Sequence, residues 1–140
     1  MDYTELARLA LEAREHAYIP YSGFAVGAAL LCADGSIYQG CNIENAAYTP
    51  SNCAERTAFF KAVYDGKREF DCIAVAGGKA GEAPDQYCAP CGVCRQVMME
   101  FCDPETFLII TAKSPTDYRI HTLAQYLPDG FGPADLRAGT

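Results

Sequence analysis

No stretch of this 140-residue chain approaches the roughly 20 apolar residues that a membrane-crossing helix needs, so no helical membrane span is expected. The start, Met1-Asp2-Tyr3-Thr4-Glu5, has neither the basic region nor the apolar region of a secretory leader, and the expected location is cytoplasmic. Basic charge is scarce: 11 Lys and Arg stand against 18 Asp and Glu, giving a formal charge of −7. Beyond Lys67-Arg68 there is no basic cluster to neutralise phosphates, so nucleic acid is not an expected partner and the ligand should be small and not highly anionic. Internal repeats, low-complexity tracts and Pro/Gly/Ser-rich linkers are also missing, and residues 1–140 read as a single domain.

Cysteine is plentiful, at eight residues. In a reducing compartment, clustered Cys more often bind metal or react than form bridges. Cys32, Cys41, Cys72 and Cys102 lie singly in apolar stretches and read as small hydrophobes. The others group as Cys53-Ala54-Glu55 and, 91 − 53 = 38 positions on, Pro90-Cys91-Gly92-Val93-Cys94, with Cys88 just upstream.

Local patterns give the surroundings of these cysteines. Leu6, Leu9, Ala10, Ala13 and Ala17 recur at helical spacing, with Asp2 and Glu5 as a capping box, and the helix should end before Pro20. Val26–Cys32 and Ile37–Ile43 flank Ala33-Asp34-Gly35 as a β-hairpin. A helix is predicted over Cys53–Tyr64, capped by Ser51 or Asn52 and stopped at Asp65-Gly66. Cys72–Ala76 reads as a buried strand and Lys79–Ala89 as a loop. Cys91–Phe101 reads as a helix with Val93, Val97, Met98 and Phe101 on its apolar side. Phe107–Ala112 is predicted as a central strand, Tyr118–Thr122 as an edge strand, followed by a short helical piece to Leu127 and an irregular tail with Phe131. The order α-β-β-α-β-α-β-β implies an α/β fold, a three-layer α/β/α sandwich around a mixed five-stranded sheet.

The chemistry follows from spacing. Cys91 and Cys94, three apart in a helix's first turn, project from one face and can share a metal; Cys53 opens the other helix. Two helix N-termini would then aim positive dipole ends at the thiolates. Three protein ligands leave a zinc ion its fourth position for water, the layout of a catalytic site. Glu55 would stand within reach of that water as acid/base, although a Glu in a first turn can also serve only as a capping partner. Arg56 is placed to offset the excess thiolate charge, or is an ordinary exposed helix Arg. Adding Cys88 to the trio would instead close a structural four-thiolate site, making a non-catalytic zinc module. An iron-sulfur run fails, because the next Cys is Cys102, too far along and followed by Asp103 rather than Pro.

With these residues assembled, the chain resembles the small zinc-dependent cytidine deaminases from about Ala13 to Leu136. The resemblance extends to Pro20-Tyr21-Ser22-Gly23-Phe24-Ala25-Val26-Gly27-Ala28-Ala29 and to Gly40-Cys41-Asn42-Ile43-Glu44-Asn45-Ala46-Ala47-Tyr48, blocks more specific than the metal signature, which nucleobase, nucleotide and polynucleotide deaminases share. It implies one Zn²⁺ per subunit on Cys53, Cys91 and Cys94, with Glu55 carrying protons in the hydrolysis of cytidine and 2′-deoxycytidine to the uridines and ammonia. It further implies that Asn42 and Glu44 bond the ribose hydroxyls, that Phe24 packs on the nucleoside, and that the backbone at Ala54 and Ala89 holds the base edge. A homotetramer with active sites shared between subunits is implied too, Phe131 of a neighbour covering the pyrimidine, and a place in pyrimidine salvage. On strand geometry, Asn42 and Glu44 should face one way while Ile43 enters the core.

Three features depart from the family pattern: Ala89 stands where Ser is common, the loop Lys79–Ala89 is longer than usual, and Cys88 lies in it. They leave open a deaminase of a modified cytosine nucleoside or antibiotic, or of polynucleotide; Asn42, Glu44 and the acidic charge speak against the last.

Overall fold

A computed structural model describes residues 2–137. Its elements are α1 (Thr4–Ala13), a 3₁₀ turn (Arg14–His16), β1 (Phe24–Cys32), β2 (Ile37–Cys41), α2 (Ala54–Tyr64), β3 (Phe70–Lys79), α3 (Gly92–Phe101), β4 (Leu108–Ser114), β5 (Asp117–Thr122), α4 (Leu123–Tyr126) and α5 (Pro133–Arg137). The strands form one sheet in the order β2-β1-β3-β4-β5, antiparallel except for the parallel pair β3 and β4, which α3 connects. The expected mixed five-stranded sheet is therefore present, with β5 at one edge and β3, rather than β4, at the centre.

Alternation along the strands divides the interior into two layers. Ala28, Leu30, Ile73, Val75 and Ile109 face α2 and α3, where Phe59 has ring centroids of Phe70, Phe101 and Phe107 at 5.0, 6.1 and 6.1 Å. Ala29, Leu31, Cys72, Ala74 and Ile110 face the other way, against Leu6 and Ala10 of α1. This is the three-layer arrangement that the element order implied.

Several local expectations are corrected. The first helix ends at Ala13 and tightens into the 3₁₀ turn, so Ala17 is already extended. Asp2 and Glu5 form no capping box: the Asp2 carboxylate accepts from Thr4 N at 2.9 Å, and Glu5 turns outward to Arg8. Neither Ser51 nor Asn52 caps α2, because Cys53 holds that position and Asn52 donates instead to Thr57 Oγ1. Val93 is 58 % exposed, and α3 buries Cys94, Met98 and Met99 instead. Ile43 does not enter the core: it is 45 % exposed, because the chain has left β2 and pairs singly with Tyr18 and Asn52. Cys32 and Cys72 are buried as expected, whereas Cys41 and Cys102 are partly buried.

One glycine fixes the height of α2 above the sheet. A Cβ at Gly40 would overlap the Ala54 carbonyl oxygen and lie 2.6 Å from Ala58 N, so only Gly lets the first turn of α2 settle directly on β2. Thr57 Oγ1, donating to Cys41 O at 3.0 Å, ties the same turn to the strand end.

Candidate active site

Cys53 and Cys91 occupy equivalent places: each is the extended residue just before a helix, α2 and α3 respectively, with φ/ψ of −77/157° and −68/168°. Cys94 is the third residue of α3, so its thiol comes round to the side of Cys91. The Cys53 and Cys91 sulfurs are 3.7 Å apart, the Cys91 and Cys94 sulfurs 3.5 Å, and all three lie within 4.8 Å of one another. A tetrahedral zinc with Zn–S bonds of about 2.3 Å would hold its sulfurs roughly 3.8 Å apart, so the trio fits that ion without rearrangement. Among the described residues this is the one group of His, Cys, Asp or Glu side chains so gathered.

The electrostatics favour thiolate at Cys53. The Cys53 thiol is brought down to about 5, first by the hydrogen bond from Cys94 and then, against the opposing effect of burial, by Arg56, whose Nη2 donates to Cys53 Sγ at 3.2 Å. Cys94, which gives that hydrogen bond and is buried, is pushed up in turn. Arg56 Nε is buried with no protein partner, which leaves the guanidinium turned to the sulfurs and not to a carboxylate.

Glu55 is 4 % exposed, a rare state for a lone carboxyl. Burial pushes it up to about 7. It lines a cavity of about 200 Å³ together with Cys53, Cys91, Phe24, Asn42 and Ala54. A carboxyl that can hold or release a proton near neutrality, in a small cleft beside a sulfur cluster, suits general acid/base chemistry.

Ala89 also lines this cavity, and so do Val26, Val75 and Cys88. Cys88 stands apart from the sulfur trio, its Sγ reaching Gly77 O at 3.6 Å. Asn42 is occupied with the backbone of β1: its Oδ1 accepts from Val26 N at 2.9 Å and its Nδ2 donates to Phe24 O at 2.8 Å. Glu44 lines a different cavity, of about 330 Å³, with Tyr21, Ser22, Tyr48 and Ser51, and accepts from the backbone of Tyr21 and Ser22 at 3.0 and 3.1 Å. Bonding to Ser22 and Tyr21 holds its carboxyl below the usual range. Phe131 is 58 % exposed and lines neither cavity of its own chain; its carbonyl accepts from Gln96 Nε2 at 2.8 Å.

Sequence reasoning misses the supports. Arg95 donates to Pro90 O at 2.7 Å and to Tyr126 O at 2.8 Å, tying the Pro-Cys turn to α4. Its place directly after Cys94 is visible in the sequence, but the partners lie on elements whose proximity only the fold supplies.

The sequence model of the "Cytidine and deoxycytidylate deaminase zinc-binding region" matches residues 1–110. The chain is 50 % identical over 136 residues to a cytidine deaminase of Sporosarcina psychrophila, covering 97 % of this chain and 96 % of the relative. It is 46 % identical to a cytidine deaminase of Halalkalibacterium halodurans, with 97 % and 98 % covered. A crystal structure of cytidine deaminase from Burkholderia pseudomallei superposes with a TM-score of 0.83 at 47 % identity, covering 94 % of this chain and all of that one.

Proposed function

The chain belongs to the cytidine and deoxycytidylate deaminase family, and from that membership we propose that it hydrolyses the exocyclic C4–N bond of cytidine and 2′-deoxycytidine, giving uridine and 2′-deoxyuridine with release of ammonia. The observation that carries this reading is Glu55, a carboxyl buried in the cleft that Cys53 and Cys91 also line. Cys53, Cys91 and Cys94 are the ligands of one zinc per chain. Bound there, zinc supplies Lewis acidity, lowering the pKa of water toward neutrality.

The remaining work falls to side chains. Glu55 accepts the proton that water sheds as its oxygen adds to C4 and hands it to N3; it then takes the proton of the new C4 hydroxyl and passes it to the amine, which leaves as ammonia while the C4 carbonyl forms. Closed in the cleft, the carboxyl finds both protonation states accessible, as a shuttle requires. Arg56 spreads positive charge over Cys53 and keeps three thiolates from making the metal too weak an acid. Phe24 gives the ring an apolar wall, and the backbone at Ala54 and Ala89 meets the base edge. Asn42 retains one Nδ2 hydrogen beyond its bonds to β1 for a ribose hydroxyl, and Glu44 accepts from another. A carboxylate there also repels a 5′-phosphate, which favours nucleoside over nucleotide.

We extend the reading to a cytoplasmic enzyme of pyrimidine salvage, and to a homotetramer in which Phe131 of a neighbouring subunit closes the site; its exposure in the single chain leaves it free to do so. No helix among the described residues is long and apolar enough to cross a membrane. The test is to incubate zinc-loaded protein with cytidine and follow uridine and ammonia together. Equimolar appearance of both supports the assignment, and an unchanged substrate overturns it.

A further inference from the structure

The segment joining β3 to α3 is held at both ends. Near β3, Arg14 donates from Nε to Ala25 O at 2.9 Å and from Nη2 to Lys79 O and Glu82 O at 3.1 and 2.9 Å. Near α3, the Tyr87 hydroxyl donates to Asp117 Oδ1, and its ring lies 4.5 Å from Lys113 Nζ and 4.1 Å from Arg119 Cζ. One phenol thus engages both strands of the β4–β5 hairpin. The next residue, Cys88, turns inward and rests on Gly77.

Gly77 makes that seat. A Cβ there would lie 2.9 Å from Cys88 Sγ, 3.0 Å from Phe24 Cε1 and 3.2 Å from Val26 Cγ2, so three side chains converge on the space that a side chain at 77 would fill. All three line the cavity of Glu55 and Cys53. Cys88 is outside the metal trio and lines the cavity, so it stands there as a compact wall, its thiol pushed up by burial.

We propose that Cys88, seated on Gly77 and positioned by the Tyr87 clamp, is a specificity-determining residue of the base cavity, setting how large a substituent a pyrimidine nucleoside can carry. This rests on the deaminase reading of the site. In a cavity of about 200 Å³ the loss of one sulfur atom opens room for about a methyl group. One such group in an apolar pocket changes discrimination by about 10-fold or more.

The experiment compares zinc-loaded wild type, Cys88→Ala, Cys88→Leu, Tyr87→Ala and Tyr87→Phe. Catalytic efficiency, kcat/KM, is determined with N4-methylcytidine and with 5-methylcytidine and expressed relative to cytidine, and Kd is measured calorimetrically for uridine and 5-methyluridine. Cys88→Ala should raise at least one substituted-to-plain ratio about 10-fold, and Cys88→Leu should lower it. Tyr87→Ala should shift the ratio in the same direction as Cys88→Ala, and Tyr87→Phe less, because its ring still meets both cations. Ratios and relative Kd values within about twofold of wild type in both Cys88 variants overturn the proposal. A wild type that holds zinc and binds uridine but consumes no cytidine defeats the deaminase reading instead, and the two Kd values then decide the role of Cys88.

Discussion

On one face of the sheet α1 lies against Ala29, Leu31, Ala74 and Ile110, and on the other α2 and α3 lie against Leu30, Ile73, Val75 and Ile109. The α1 layer is built on small residues, with Ala7, Ala10 and Ala13 buried in the helix itself. Its backbone comes so close that a Cβ at Gly27 would overlap the Ala10 carbonyl oxygen. Such close packing of helix backbone on strand supplies stability. The opposite layer puts bulk at its far end, around Phe59, and ends of helices at its near end, where Cys53 and Cys91 stand just before α2 and α3. Where a helix begins, its N–H groups are unpartnered and its dipole is positive, and that is where thiolates are cheapest to hold. The site therefore arises where two helix starts meet over the sheet and bring Cys53 and Cys91 together.

Changes at the helix starts should abolish chemistry while the fold survives. Glu55→Gln should lower kcat by about 10²–10⁴-fold with zinc content unchanged, measured by turnover and metal analysis on one sample. Cys94→Ala should lose both zinc and turnover, and the melting temperature should then stop responding to a chelator that lowers it in wild type. Changes on the α1 face should act the other way. Gly27→Val should destabilise the chain by about 1–3 kcal/mol in a denaturant titration, with KM for cytidine unchanged in the fraction that remains folded. An altered KM would mean that the two faces are less separate than their packing indicates.

Within the site, changes that spare the three sulfurs and Glu55 should have smaller effects. Arg56→Gln should weaken zinc affinity or turnover by about 10–100-fold, since it alters the charge around Cys53 without removing a ligand. Glu44→Gln should raise KM for intact nucleoside, and its pH dependence has a definite sign. Because backbone and hydroxyl donors at Ser22 and Tyr21 hold the folded carboxyl below its ordinary value, Glu44 stays ionised throughout the neutral range. The KM ratio of variant to wild type should therefore be flat at neutral pH and fall toward one only as acid protonates Glu44 below the usual carboxylate range. A ratio that declines already near neutrality would contradict this.

Much of the fold is legible in the sequence because its signals are local. The turn at Asp34-Gly35 places the hairpin, and Asp65-Gly66 the end of α2. The spacing of Cys91 and Cys94 is enough to bring them to one face, and Cys53 can be placed at a helix start. Sequence reasoning fails where a local rule outlives its element. Strand alternation puts Asn42 and Glu44 on one face, but β2 ends at Cys41; beyond it Asn42 turns to β1, Glu44 to Tyr21 and Ser22, and Ile43 to the surface. The Asp2 and Glu5 box does not form because Tyr3, not Asp2, stands at the start of α1, and Glu5 pairs with Arg8. Cys88 is ambiguous in sequence because three-residue spacing describes a helix face only inside a helix, and α3 begins four residues later.

We propose that three sulfurs hold a zinc ion and that Glu55 moves the protons. This is tested most directly by measuring zinc per chain and cytidine turnover on the same preparations of wild type and Glu55→Gln. One zinc per chain in both, with uridine and ammonia formed only by the wild type, is the predicted result. Comparable turnover by the variant, or zinc-loaded wild type that leaves cytidine intact, would contradict it.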